Sequence, residues 1–257
     1  MDGRRENPWI GFGTRREKAR LRLFCLPYAG GGAAPYRHWG SILGEDIDLV
    51  PIALPGREQR LGEPAIDRLE DMLAQLSAAL RPLLDRPFAL FGYSMGALIA
   101  WRLAHRLSQD GAGEPAHLFV GGRRAPGLPA ARDPIHALPS AAFWQRIAAY
   151  GGTPAEVLAE REVRELFEPV LRADFKLAEQ EPPLSADILS CPITAIGGAD
   201  DPDPTPDRLD GWDQATTGRF DKAVFPGGHF AIHTSNTAIA VLVRDRLSGQ
   251  TGSRGPI

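Results

Sequence analysis

The chain has 257 residues, 43% of them hydrophobic, and its 29 Lys and Arg against 32 Asp and Glu leave a net charge of −3. That length and apolar content suffice for one core of ordinary size, and a near-balanced charge without long single-sign runs argues against nucleic acid as a partner. Cys25 and Cys191, the only cysteines, each sit beside an apolar run and read as buried free thiols; His38, His105, His117 and His136 show no ligand spacing, so neither a metal nor a cofactor is expected.

From the amino terminus, residues 1–20 are charged and lack the continuous apolar stretch of roughly 7–15 residues that a secretory signal needs. They read as a flexible segment. The most apolar stretch, 89–101, is shorter than the roughly 20 residues of a membrane span, so a cytoplasmic protein is expected, with no membrane partner. A short apolar strand is expected at 21–26, followed by a glycine-rich turn at 29–32, a short helix over 36–43 and a second strand at 48–53. Leu69, Met72, Leu73, Leu76, Leu80 and Leu83 recur at three- and four-residue intervals, which predicts an amphipathic helix over 69–84. Then come a buried strand at 88–91, a helix over 95–107 apolar on nearly every side, and another strand at 117–120.

Strands alternating with helices predict an α/β fold, a mostly parallel sheet with helices on both faces, because parallel strands need crossover connections. The alternation breaks over about 126–190, where helical patterns at 141–150 and 159–178 run without a strand between them; this region reads as an insertion. It resumes with a strand at 192–196, a helix near 208–215, a strand at 222–225 and a last helix near 237–246, leaving 248–257 as a flexible tail. The core from 21 to 247 reads as one domain.

Gly92-Tyr93-Ser94-Met95-Gly96 places a G-x-S-x-G pattern between a buried strand and a buried helix, the setting of a nucleophilic serine on a sharp turn. A serine hydroxyl needs a base, and His229, after a strand and two glycines, is the candidate; His233 is the competitor. A carboxylate after a late strand should orient that base. Asp200, Asp201 and Asp203 compete there; Asp201 stands directly before Pro202 and is the choice, though periodicity does not separate the three. The amides of Met95 and Ala29, the latter in the glycine-rich turn, are the expected donors to a tetrahedral oxyanion. That turn lacks the Lys-Ser/Thr pair of a phosphate-binding loop.

Several further stretches make the chain resemble the stand-alone type II thioesterases that accompany polyketide synthases and nonribosomal peptide synthetases. They are Leu26-Pro27-Tyr28-Ala29-Gly30-Gly31-Gly32, Leu54-Pro55-Gly56-Arg57-Glu58-Gln59-Arg60, Gly122-Arg123-Arg124-Ala125-Pro126, Leu171-Arg172-Ala173-Asp174, Cys191-Pro192-Ile193-Thr194 and the run from Phe225 to Phe230. The resemblance implies an α/β-hydrolase with a helical lid at about 126–190. It implies hydrolysis of acyl groups from the phosphopantetheine arm of carrier proteins, and favours Asp201 as the acid. It also marks departures: Tyr93 where the family more often has histidine, Arg102 where it commonly has glutamate, Gly121 for a frequent serine, and an aspartate-rich segment after the acid loop. Arg57 and Glu58 read either as holding the loop beside the entrance or as a surface ion pair worth little, a structural role that fixes loop geometry being favoured; Phe143, Trp144 and Phe167 read as lid core or acyl tunnel. A general carboxylesterase or acyltransferase, or a binding module that has lost its activity, are the competing functions.

Overall fold

The computed structural model describes residues 7–13, 16–130, 133–180 and 188–249. In chain order the elements are β1 (Leu21–Leu26), α1 (Trp39–Leu43), β2 (Ile47–Pro51), α2 (Leu69–Leu80), β3 (Phe88–Tyr93), α3 (Met95–Gln109), β4 (Leu118–Gly121), α4 (Ser140–Tyr150), α5 (Ala155–Ala159), α6 (Arg161–Ala178), β5 (Ile193–Gly198), β6 (Phe220–Phe225), α7 (Ala231–Thr234) and α8 (Asn236–Gly249). The six strands form one sheet in the order β2-β1-β3-β4-β5-β6, and every neighbouring pair is parallel.

Strand alternation sorts the core onto two faces. Phe24, Leu26, Val50, Leu90 and Val120 meet α2 and α3 on one side; Leu23, Cys25, Leu49, Phe91 and Phe119 meet α1 and α8 on the other. Being covered on both faces explains why β1 and β3 are continuous apolar runs rather than alternating ones. The exception inside β1 is Arg22, fully buried opposite Asp48 of β2; its Nε lies 3.0 Å from Asp48 Oδ2 and its Nη1 2.6 Å from Asp85 Oδ1. A buried charge is tolerated there because paired carboxylates neutralise it.

Local differences from the sequence pattern have identifiable causes. Pro206–Ala215 is a 3₁₀ helix rather than an α-helix, with proline at its start. The helix expected over 159–178 is α6, starting two residues later at Arg161; Glu160, at φ −88° and ψ 116°, separates it from the short α5, which the sequence pattern did not mark. β6 begins at Phe220, two residues early: as an edge strand it carries Asp221 and Lys222 half out of the sheet, which obscures the apolar signal. Within the segment expected to be flexible, Trp9 is buried under the Arg60 guanidinium, 4.4 Å from ring to cation, and the Gly11 amide donates to Pro51 O at 2.9 Å. A large indole that finds an apolar seat and a cation orders its neighbours. Of the expected tail, 250–257 lie outside the described residues, while Ser248 and Gly249 complete α8.

Between β4 and β5 the helices α4, α5 and α6 build a separate apolar cluster of Ile135, Phe143, Trp144, Ile147 and Leu171. This segment lies over the carboxyl ends of the strands, since Leu171 packs on the glycine turn after β1. Among the described residues no helix is long and apolar enough to cross a membrane.

Candidate active site

Ser94 joins β3 to α3 at φ 52° and ψ −111°, a left-handed backbone that a side chain adopts only under constraint. Its amide donates to Gly121 O at 2.7 Å, and its carbonyl accepts from Ala97 N at 3.1 Å, so strand and helix together impose the turn. The flanking glycines are required sterically. A Cβ on Gly92 would stand 2.0 Å from Gly96 O, and one on Gly96 would stand 2.4 Å from Leu26 O at the end of β1.

The loops after β5 and β6 are stitched together by backbone contacts. Ala199 N donates to Phe225 O at 2.8 Å and Asp200 N to Gly227 O at 2.9 Å, while Gly198 lies so close to the 227–228 carbonyls that a Cβ would sit 2.2 Å from Gly228 O. This brings Asp201 under His229. The His229 Nε2 lies 3.1 Å from Ser94 Oγ and its Nδ1 2.9 Å from Asp201 Oδ2. Asp201 is 2% exposed, and its other oxygen accepts from Asp203 N at 3.0 Å, so both of its oxygens are engaged. Asp203 turns away to Arg208 at 2.9 Å, and Asp200 is exposed. His233, on α7, instead meets Tyr28 Oη at 2.9 Å, and burial lowers its pKa, so it sits neutral against the tyrosine.

Ala29, in the turn after β1, lines the same cavity as Ser94, and Met95 opens α3 directly after that serine. Neither amide donates to another described group, which leaves both available to a ligand. The turn carrying Ala29 is held from outside: Asp174 Oδ2 accepts from Gly30 N at 2.7 Å, Arg57 Nη1 donates to Gly31 O at 3.1 Å, and Glu58 Oε1 accepts from Ala33 N at 3.0 Å. Arg57 therefore does not pair with Glu58, as its sequence neighbour suggested. It makes a two-pronged ion pair with Asp174 of α6, at 2.6 and 2.7 Å.

A cavity of about 350 Å³ opens at Ser94 and His229. Ile147, Leu171 and Phe175 of the inserted helices supply apolar wall, and Tyr150 and Phe230 bring their rings 5.5 and 5.3 Å from the His229 ring. Sequence periodicity did not find Tyr150 or Phe230; only their positions, at the end of α4 and beside His229, hint at them. Phe143 and Trp144 are interior to the insertion, Phe167 is 39% exposed, and none of the three lines the cavity. Arg123 lines it, held by Ala178 O at 3.1 Å; desolvation pushes its pKa down to about 9, which still leaves it cationic at neutral pH.

Tyr93 does not reach the cavity wall. It is fully buried in the opposite core, and its ring fills the space over Gly121 and Gly122, where added Cβ atoms would stand 2.4 and 2.6 Å from it. The large residue at 93 and the missing side chain at 121 are thus one packing solution. Gly121→Ser is expected to destabilise the protein by about 1–3 kcal/mol, and adding Tyr93→His should recover part of that; urea unfolding of the single and double variants checks it. Independent, additive losses would show that the two positions are not coupled.

A parallel sheet whose carboxyl edge carries a serine at a strand-to-helix turn, linked through histidine to a buried aspartate, defines the α/β-hydrolase class. The family model described as "Thioesterase domain" matches residues 21–247, and the chain belongs to the thioesterase family. The gramicidin S biosynthesis protein GrsT of Aneurinibacillus migulanus is 38% identical over 229 residues, covering 89% of this chain and 90% of that protein. The solved structure of RedJ, a thioesterase from the prodiginine pathway of Streptomyces coelicolor, superposes with a TM-score of 0.83 at 35% identity, covering 93% of this chain and 91% of that one. The type II thioesterase BorB from the borrelidin cluster superposes at 0.82 with 31% identity, covering 93% and 97% respectively.

Proposed function

We propose that the protein is a type II editing thioesterase that removes acyl groups from the phosphopantetheine arm of carrier proteins in a polyketide or nonribosomal peptide synthase. The observation that carries the chemistry is the unbroken Ser94–His229–Asp201 chain of 3.1 and 2.9 Å contacts. In this reading His229 Nε2 takes the Ser94 proton as Oγ attacks the thioester carbonyl, while the Asp201 carboxylate accepts from Nδ1–H and stabilises the imidazolium. The amides of Ala29 and Met95 receive the oxyanion. His229 then returns its proton to the departing thiol, and a water activated by the same ring releases the acid from the acyl-enzyme.

The substrate assignment draws on the relatives, whose names place them in gramicidin, prodiginine and borrelidin biosynthesis. The insertion acts as the lid of the acyl cavity, in a single catalytic domain that works beside its carriers in the cytoplasm. A comparison of an acyl-phosphopantetheinyl carrier protein with an oxygen ester of the same acyl chain tests this. The carrier thioester is expected to have the higher kcat/KM; faster turnover of the oxygen ester would make the protein a general esterase instead.

A further inference from the structure

The reaction as written uses neither the Pro55 to Arg60 run nor Leu171 to Asp174, although both are among the most distinctive stretches of the sequence. In the fold they meet at one place. Asp174 is 1% exposed at its side chain and Arg57 7%, and the two charges face each other squarely. Besides Asp174, Arg57 donates to Pro55 O through Nε and Nη2, at 3.3 Å each, and to Gly31 O through Nη1. Asp174 Oδ2 accepts from both Arg57 Nη1 and Gly30 N. Leu171, one helical turn earlier, covers Gly30 so closely that a Cβ there would stand 2.6 Å from Leu171 Cδ2, and Gly30 itself holds φ +74°.

The consequence lies one residue back. Gly30 follows Ala29, so fixing the Gly30 amide fixes the Ala29–Gly30 peptide plane, and only the two soft dihedrals of Ala29 remain to aim its own N–H. With Gly31 O tied to the same guanidinium, the turn is clamped at two successive residues. We propose that Asp174, oriented by Arg57, is a positioning residue for the oxyanion hole: the inserted helix α6 reaches across 144 residues of sequence to hold the turn that presents the Ala29 donor. The donor pair is then correctly set only while α6 is seated, so an acyl chain that fits under α6 and one that displaces it meet differently competent catalytic sites. This rests on Ala29 serving as oxyanion donor in the reaction above.

The competing account is that the ion pair only stabilises the fold. A buried pair replaced on both sides by apolar groups of similar size is often neutral in stability, which separates the two accounts. Arg57→Met/Asp174→Leu should regain most of the melting temperature lost in Asp174→Ala, yet keep a kcat at least about tenfold below the parent with KM within about threefold, because only transition-state stabilisation is removed. Recovery of kcat along with the melting temperature would overturn the proposal. Should the double variant not fold, Asp174→Asn against Asp174→Ala decides: both leave Arg57 without its counter-charge, but asparagine keeps an oxygen for Gly30 N–H. Turnover per titrated Ser94 should then be at least about tenfold higher for asparagine; equal turnover would overturn the proposal. Parent turnover that survived Ser94→Ala would remove the reaction scheme and the positioning role together, whereas these variant results bear on the positioning role alone.

Discussion

Ser94→Ala is expected to lower kcat on an acyl-carrier thioester by about 10⁴- to 10⁶-fold while leaving the fold intact. The size follows from the reaction: without Oγ there is no acyl-enzyme, and His229 and Asp201 lose the group on which they act together. In the proposed scheme, what remains is water attack assisted by the Ala29 and Met95 amides. Alanine suffers the same backbone restriction at φ 52° as serine, and among the described residues the Ser94 side chain bonds only to His229, so unfolding curves should nearly coincide. The check is steady-state hydrolysis together with labelling by a fluorophosphonate probe, which the parent should show and the variant should lack. Hydrolysis within about tenfold of the parent in a clean preparation would mean that a different group attacks.

The second large effect is on folding. Gly96→Ala and Gly92→Ala each place a methyl group against main chain rather than against a side chain that can turn aside. At Gly96 the obstacles are Leu26 O and Pro27 O, at the point where β1 passes into the turn carrying Ala29; at Gly92 they are Gly96 O and the Ala97 amide. Relief requires moving β3, α3 or the end of β1, all packed in the middle of the sheet. The expected cost exceeds the roughly 1–3 kcal/mol of ordinary overpacking, so both variants should express poorly or melt well below the parent. Gly62→Ala, where a Cβ meets no atom of the described residues within 4 Å, is the matched control and should behave as the parent does. A normal melting curve for Gly96→Ala would show that the tight approach of β1 to α3 is not required.

These two outcomes test the part of the protein that could be read directly from residue order. The strands of the sheet centre announce themselves because burial on both faces makes them continuous apolar runs, and α2 because its leucines keep a period near 3.6. The elbow is readable because its strain is met locally by two glycines within five residues. His229 is readable too, since a histidine after a strand and two glycines has few other uses. Where the pattern was less clear, a competing demand is visible: the half-exposed start of β6 at Asp221 and Lys222, proline at the start of the 3₁₀ segment, and the break at Glu160 that sets the short α5 apart from α6.

Periodicity does not separate Asp200, Asp201 and Asp203, three carboxylates within four residues; only the place of Asp201 before Pro202 and the family resemblance favour it, and the physical reason lies in where the folded loop points each one. The backbone stitching between the loops after β5 and β6 turns Asp201 toward His229, across 28 residues, and leaves Asp203 to Arg208. The partner of Arg57 was likewise invisible: it lies 117 residues away on α6, while Glu58, adjacent in sequence, serves the Ala33 amide. Residue order by itself determined the α/β architecture, the serine at its turn and the histidine after the last strand, because sterics and periodicity act over a few residues. Tertiary structure shows how Asp201, already favoured by the resemblance, comes to face His229, and it alone decided what steadies the turn of Ala29 and which rings surround His229. Such contacts join loops remote in sequence, and their pairing is settled by packing geometry that no short stretch encodes.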